Sequence, residues 1–126
     1  MAMLVLLWGA PAHAACPAGQ QALLTARLYF GQSVDGRKLS AAAWRDFVAR
    51  TVTPRFADGF TEYDAAGQWR DPRTHRIARE ATKVIEIAAA DTRDFRDRID
   101  RVRNDYAARF HQQSVGLLML PACGTF

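Results

Sequence analysis

The chain has 126 residues, of which 49% are hydrophobic and 24% are charged. That length and composition are typical of one globular domain and argue against a disordered chain. The formal net charge is +4, and among the 17 basic residues only Lys38 and Lys83 are lysines. This charge predicts a weak preference for anionic ligands, although an Ala- and Arg-rich composition also fits codon bias with no anion site.

The N-terminal stretch has the pattern of a signal peptide. An apolar run covers residues 3–10, and Ala12 and Ala14 place small residues where a signal peptidase cleaves. We therefore predict a signal peptide over residues 1–14 and export to the periplasm or the medium, without a transmembrane span, because the apolar run is too short. A lipoprotein, anchored through Cys16, is the alternative.

The remaining residues, 15–126, are predicted to form a single domain with one cysteine at each end. In an exported protein an even number of cysteines favours a disulfide, here between Cys16 and Cys123. Two other readings stay open: a lipidated Cys16 beside an unpaired Cys123, or two inert thiols.

Six elements follow along the chain. Residues 22–31 alternate apolar and polar side chains as a half-buried strand does, and Asp35-Gly36 marks a turn. Ser40 is expected to cap a helix that Pro54 ends, and Asp91 is expected to cap a second helix. Between the helices a long hairpin is predicted, and the last strand is predicted after the second helix; their ranges are 59–88 and 114–120.

The order strand, helix, strand, strand, helix, strand is that of the α+β ferredoxin-like sandwich. This fold has a four-stranded antiparallel sheet with spatial order 4-1-3-2 and two helices on one face. The first and last strands then lie side by side and antiparallel, so the start of one meets the end of the other. Cys16 and Cys123 are therefore expected at the same corner of the sheet.

The opposite edge of that sheet is the predicted site of ligand binding. Polar and aromatic residues from three separate segments converge there, as a binding site requires. A structural reading is also open, in which Trp69 covers the core and Arg70 pairs with Glu80 across the hairpin. The candidate residues are Gln32, Ser33, Trp69, Arg70, Glu80, His111 and Gln113.

No motif in the sequence matches a catalytic, cofactor or metal signature, so no catalytic residue, cofactor or metal is predicted. The best candidate for anion binding is a basic loop within the hairpin. Nucleic acid is not an expected partner, because the chain is predicted to be exported. The loop contains Arg70, Arg73, His75, Arg76 and Arg79.

The sheet face without helices is expected to be unusually apolar for a surface in water. Either the segment at the start of the domain covers it, or two copies pair through it as a homodimer. An ion pair between Arg27 and Glu86 is expected on this face. Its other members are Thr25, Tyr29, Val84, Gly116, Leu118 and Leu120.

Four strings of the sequence together resemble a family of small exported bacterial proteins, domain of unknown function three-five-seven-four. They are LYFGQS, VTPRFADGFTEYDAAGQWRD, REATKVIEI and IDRVRNDYAARFHQQSV, within a resemblance that runs from about Leu23 to Phe126. The resemblance implies export and a compact domain and assigns no catalytic residue. Members of the family are often lipoproteins, whereas His13 departs from the apolar residue that a lipidation motif places there.

Two functions remain as hypotheses. The first is a non-catalytic binding or interaction module of the cell envelope. The alternative is a small cofactor-independent enzyme, similar in architecture to dimeric ferredoxin-like barrels, that acts on a small organic substrate. In the enzyme, Tyr29, Arg70, Glu80 or His111 would transfer a proton or orient the substrate.

Overall fold

A computed structural model describes residues 15–126 of the chain, and the predicted signal peptide lies outside the described residues. The described part contains two helices and six strands. The helices are α1 (Ala41–Phe47, continued by a π-helical turn at Val48–Val52) and α2 (Arg93–Arg109). The strands are β1 (Gln21–Gly31), β2 (Ser33–Val34), β3 (Arg37–Lys38), β4 (Thr61–Arg70), β5 (Ile77–Ala89) and β6 (Gly116–Gly124).

The four long strands form one antiparallel sheet with the order β6-β1-β5-β4. The predicted label 4-1-3-2 has to be corrected, because it counted four strands and the described chain has six. The two additional strands, β2 and β3, form a hairpin around Asp35 and Gly36, both of which have a positive φ. Strands of two residues are too short to show an alternating pattern, which is why the sequence indicated only a turn.

The two ends of the domain meet at one corner of the sheet. Ala22 of β1 lies opposite Cys123 of β6, and Cys123 forms a disulfide with Cys16 across a sequence separation of 107 residues. The disulfide and the adjacency of the first and last long strands agree with the expectation from the sequence.

Both helices begin at a capping side chain. Ser40 accepts a hydrogen bond from the backbone N–H of Ala43 at 3.1 Å, as predicted. In α2 the cap is Thr92, which accepts from Phe95 N at 3.1 Å, so the expectation that Asp91 caps this helix was wrong by one residue. Asp91 instead receives two hydrogen bonds from Arg96, which explains why an acidic residue suits that position.

Both helices pack on the same face of the sheet, where a cluster of aromatic rings forms the centre of the core. Phe30 of β1 contacts Trp44 and Phe47 of the first helix, with ring centroids 5.3 and 5.9 Å apart. Phe47 also contacts Tyr106 and Phe110 of α2, at 5.0 and 6.0 Å. Through these contacts the Phe47 side chain joins α1 to β1 and α2.

The other face of the sheet, called here the open face, carries no helix. Arg27 and Glu86 form the expected ion pair on it, at 2.7 Å, and this hydrogen bond is the main cause of the raised pKa of Arg27. Leu118 and Leu120 beside the pair remain 48% and 42% exposed. Residues 15–20 therefore do not cover this face, and the first of the two predicted explanations for its apolar surface is wrong.

Candidate functional site

A cleft of about 360 Å³ lies on the open face, at the edge opposite the disulfide. Its walls are the rings of Tyr29 and Trp69 and the carboxylate of Glu80, and its rim includes Gln112 and Ser114. Trp69 is 50% exposed although it is large and apolar. Two aromatic rings and one carboxylate around a single hollow form a surface that suits a ligand with a flat apolar part and a positive charge.

Three glycines form the floor of this cleft. A Cβ at Gly31 would lie 2.6 Å from the Glu80 carboxylate, and one at Gly67 would lie 2.9 Å from the Thr82 hydroxyl. A Cβ at Gly116 would lie 3.3 Å from Tyr29 Cβ. A side chain at any of these three positions would displace Glu80, Thr82 or Tyr29 and so change the shape of the cleft.

Five of the seven predicted site residues surround a second hollow, of about 510 Å³, which adjoins the cleft through Trp69 and Glu80. These five come from three segments that are far apart in the sequence, as the predicted topology required. His111 lies at its rim with a φ of 53°. The five residues are Ser33, Trp69, Glu80, His111 and Gln113.

The other two predicted residues lie elsewhere. Gln32 is buried, and its amide donates to the Tyr106 hydroxyl and to Phe30 O, both at 3.1 Å. Its amide therefore binds other residues of the protein instead of facing a ligand.

Arg70 lies opposite Ile77, on the sheet face that carries the helices, whereas Glu80 lies opposite Gly67 on the open face. The suggested pair of Arg70 with Glu80 across the hairpin is therefore wrong, because their side chains point to opposite faces.

Tyr106 fixes the backbone beneath the cleft. Its buried hydroxyl donates to Gly31 O at 2.5 Å and accepts from Gln32. Burial raises the pKa of Tyr106 well above the usual range, and the nearby charge of Glu80 raises it further. The phenol therefore stays neutral in the folded protein, where it holds the end of β1.

We expect Tyr106→Phe to lower the free energy of unfolding at neutral pH by about 1 to 3 kcal/mol, because Gly31 O loses its buried donor. In the unfolded chain a tyrosine ionises near pH 10, whereas the folded chain keeps this proton. The contribution of Tyr106 to the free energy of unfolding is thus fully present below about pH 10. Above that pH it declines, by up to about 1.4 kcal/mol per pH unit. Urea unfolding between pH 7 and 11 should show the two proteins converging at high pH, and a constant difference would contradict this.

Gly31→Ala should damage the cleft without damaging the fold. The added methyl displaces the flexible end of Glu80, which costs little, so the stability is expected to change by less than about 1 kcal/mol. Gly124→Ala is the matched control, since its Cβ would lie 3.4 Å from Leu23 at the other end of the sheet. Crystal structures of the two variants should show Glu80 moved in the first and unmoved in the second.

A larger hollow, of about 520 Å³, lies between α1 and the outer strand β4 and is called here the hollow below α1. Its polar groups already bind one another: the Trp44 indole donates to Glu62 at 2.9 Å, and Lys83 pairs with Asp64 at 2.5 Å. Among the described residues Glu80 has no such ion-pair partner. Because a free carboxylate can bind a ligand without breaking an existing pair, we place the candidate site in the cleft.

In residues 15–126, no group of three or more His, Cys, Asp or Glu residues is arranged to hold a metal ion. Within the same residues, no helix is long and apolar enough to cross a membrane.

Comparison with known proteins identifies the family. The model of DUF3574, described as a protein of unknown function, matches residues 25–126. The chain belongs to the DUF3574 family. The resemblance seen in the four sequence strings is thereby confirmed. No curated protein sequence matches this DUF3574 chain.

The fold also occurs in solved structures. A phage SAM lyase in complex with S-methyl-5′-thioadenosine has a TM-score of 0.61 at 16% identity, over 90% of this chain and 95% of that one. A phage SAM lyase in its apo state has a TM-score of 0.59 at 17% identity, over 82% of this chain and 89% of that one. At these identities the similarity shows that the DUF3574 chain shares the fold of these proteins.

Sequence reasoning missed Gly67, Thr82 and Gln112 as residues of the cleft. Tyr29 and Gly116 had been assigned to the open face, yet the cleft lies partly on that face. The signal that could have found them was the alternation itself, which places Glu80 and Trp69 on the same face as Tyr29.

Proposed function

We propose that this DUF3574 chain is an exported binding protein of the cell envelope, and that its cleft binds a small organic cation with a flat apolar part. The observation that carries the proposal is that the unpaired Glu80 lines the same cleft as the aromatic residues Tyr29 and Trp69. A cation over an aromatic face gains about 0.5 to 2 kcal/mol, and the carboxylate adds a charge-assisted contact. The three glycines let Glu80, Thr82 and Tyr29 lie close to the backbone, which sets the shape of the cleft.

Export is supported by the disulfide between Cys16 and Cys123, since disulfides persist in oxidising compartments. The arrangement of four long strands and two helices on one face is consistent with a ferredoxin-like sandwich, which we propose as the fold class. We also propose that two copies pair through the open face, where Leu118 and Leu120 are exposed. A light-scattering mass of one chain at micromolar concentration would exclude the pairing.

A matched pair of probes tests the proposed ligand chemistry. S-methyl-5′-thioadenosine is neutral, and its S-methylated dimethylsulfonium derivative adds one methyl and one positive charge. Calorimetry with residues 15–126 should show the sulfonium binding about tenfold more tightly. Glu80→Gln should remove that preference, whereas Glu62→Gln, a control in the hollow below α1, should keep it. Equal affinities for the two probes in the wild type would refute a cation site.

A second function, an enzyme acting on a small organic substrate, is supported by the fold shared with proteins described as SAM lyases. Glu80 and Tyr29 would then act on a bound substrate, and His111 at the rim would be a third candidate. Arg70 is no longer a candidate, because it lies on the other face of the hairpin. Incubation with S-adenosylmethionine, followed by chromatography for S-methyl-5′-thioadenosine, distinguishes the two functions: product formation that Glu80→Gln abolishes would favour the enzyme.

A further inference from the structure

The hairpin of β4 and β5 ends in a basic tip, defined by Arg70, Arg73, His75, Arg76 and Arg79. All five side chains are exposed. Elsewhere in the described chain eight of the eleven arginines form ion pairs with aspartate or glutamate, but none of the four arginines at the tip does. Their charge is therefore available to a partner.

The one acidic residue within the tip does not neutralise these arginines through their side chains. The Asp71 carboxylate accepts hydrogen bonds from the backbone N–H groups of Arg73 and Thr74, at 2.7 and 3.2 Å. These bonds lower the pKa of Asp71 and close the turn. Asp71 thus acts as a structural residue, and it holds the basic tip in one shape.

The strand register places like charges together. Arg70 lies opposite Ile77, and Gln68 lies opposite Arg79, so the two arginines are diagonal neighbours on one face. The two exposed charges repel each other weakly and give the hairpin no stabilising ion pair. Elsewhere in the same sheet the cross-strand charges are complementary, as in Lys83 with Asp64. Like charges without ion-pair partners at an exposed tip are available for contacts outside the fold.

We propose that this tip docks on the surface of an anionic phospholipid bilayer. Arg73 and Arg76 lie in the turn that joins β4 to β5, and they line neither the cleft nor the hollow below α1. Exposed side chains on such a turn fit a plane of phosphate head groups better than they enclose a single small anion. Ile77, half exposed among the arginines, is an apolar side chain that can enter the boundary between head groups and acyl chains. The proposal does not depend on what the cleft binds.

Sedimentation with large vesicles tests the docking. Residues 15–126 should bind vesicles of phosphatidylcholine with 30% phosphatidylglycerol at low salt and should not bind pure phosphatidylcholine. Arg73→Gln with Arg76→Gln is expected to weaken binding about 25-fold, at about fivefold for each arginine. Arg93→Gln with Arg96→Gln removes the same charge from α2 and should change binding by less than about twofold. Equal weakening by both pairs would overturn the proposal, because net charge would then suffice.

A second variant distinguishes a bilayer from a soluble polyanion. Ile77→Ser should weaken binding to the anionic vesicles severalfold while binding to inorganic polyphosphate stays unchanged. Melting curves of the variants at the tip should match the wild type, since the altered side chains are exposed and the turn is closed by backbone groups and Asp71. Binding to polyphosphate without binding to vesicles, or vesicle binding unchanged by the loss of Arg73 and Arg76, would show that the tip has another partner.

Discussion

Replacing Cys16 and Cys123 together by serine is expected to lower the free energy of unfolding by about 4 to 5 kcal/mol. The disulfide joins residues 107 apart in the sequence, so its loss frees almost the whole unfolded chain. In the chain-entropy model, a loop of about 100 residues contributes close to 4.7 kcal/mol. For a domain of this size the melting temperature should fall by roughly 15 to 30 °C.

Reduction of the wild type provides the control for the cysteine variant. A strong reductant should bring the wild-type melting temperature down to that of the variant, and the same reductant should leave the variant unaffected. Calorimetry in both conditions gives the comparison. If the free energy of unfolding of the oxidised wild type exceeded that of the variant by less than about 1 kcal/mol, contacts between β1 and β6 would already hold the two ends together.

Phe47→Ala is expected to have the second largest effect, a loss of about 3 to 5 kcal/mol. Phe47 is fully buried, and its ring contacts Phe30, Trp44, Tyr106 and Phe110. Its removal leaves a cavity where both helices meet the sheet, and the surrounding rings are too rigid to fill it.

Phe126→Ala is the matched control for this substitution. Phe126 at the C-terminus is fully exposed, so the same chemical change should alter stability by less than about 0.5 kcal/mol. Urea unfolding of both variants makes the comparison. Losses of similar size would place Phe47 outside the core and contradict the packing described for α1.

The elements of the fold were predictable because each left a periodic pattern. Leu24, Ala26, Leu28 and Phe30 alternate along β1, and Ser40 precedes the apolar stripe of the first helix. The strand neighbours followed from the rule that crossover connections are right-handed. The hairpin of β2 and β3 was not predictable, because two-residue strands carry no pattern.

The candidate site was predictable only in part. The convergence of Trp69, Glu80 and His111 followed from topology alone. The orientation of Arg70 was missed although the alternation contains it, because Trp69 and Arg70 are neighbours in β4 and point to opposite faces. The role of Gly31 depended on the close approach of Glu80, and such distances appear only when both strands are in place.

The indole N–H signals of a ¹⁵N-labelled chain beginning at Ala15 test the proposed cleft most directly. That chain contains two tryptophans, Trp69 in the cleft and Trp44 in the hollow below α1. On titration with the dimethylsulfonium derivative of S-methyl-5′-thioadenosine, a cation site in the cleft predicts that the Trp69 signal shifts and the Trp44 signal stays. A shift of Trp44 alone, or of neither signal at millimolar ligand, would contradict the assignment of the site.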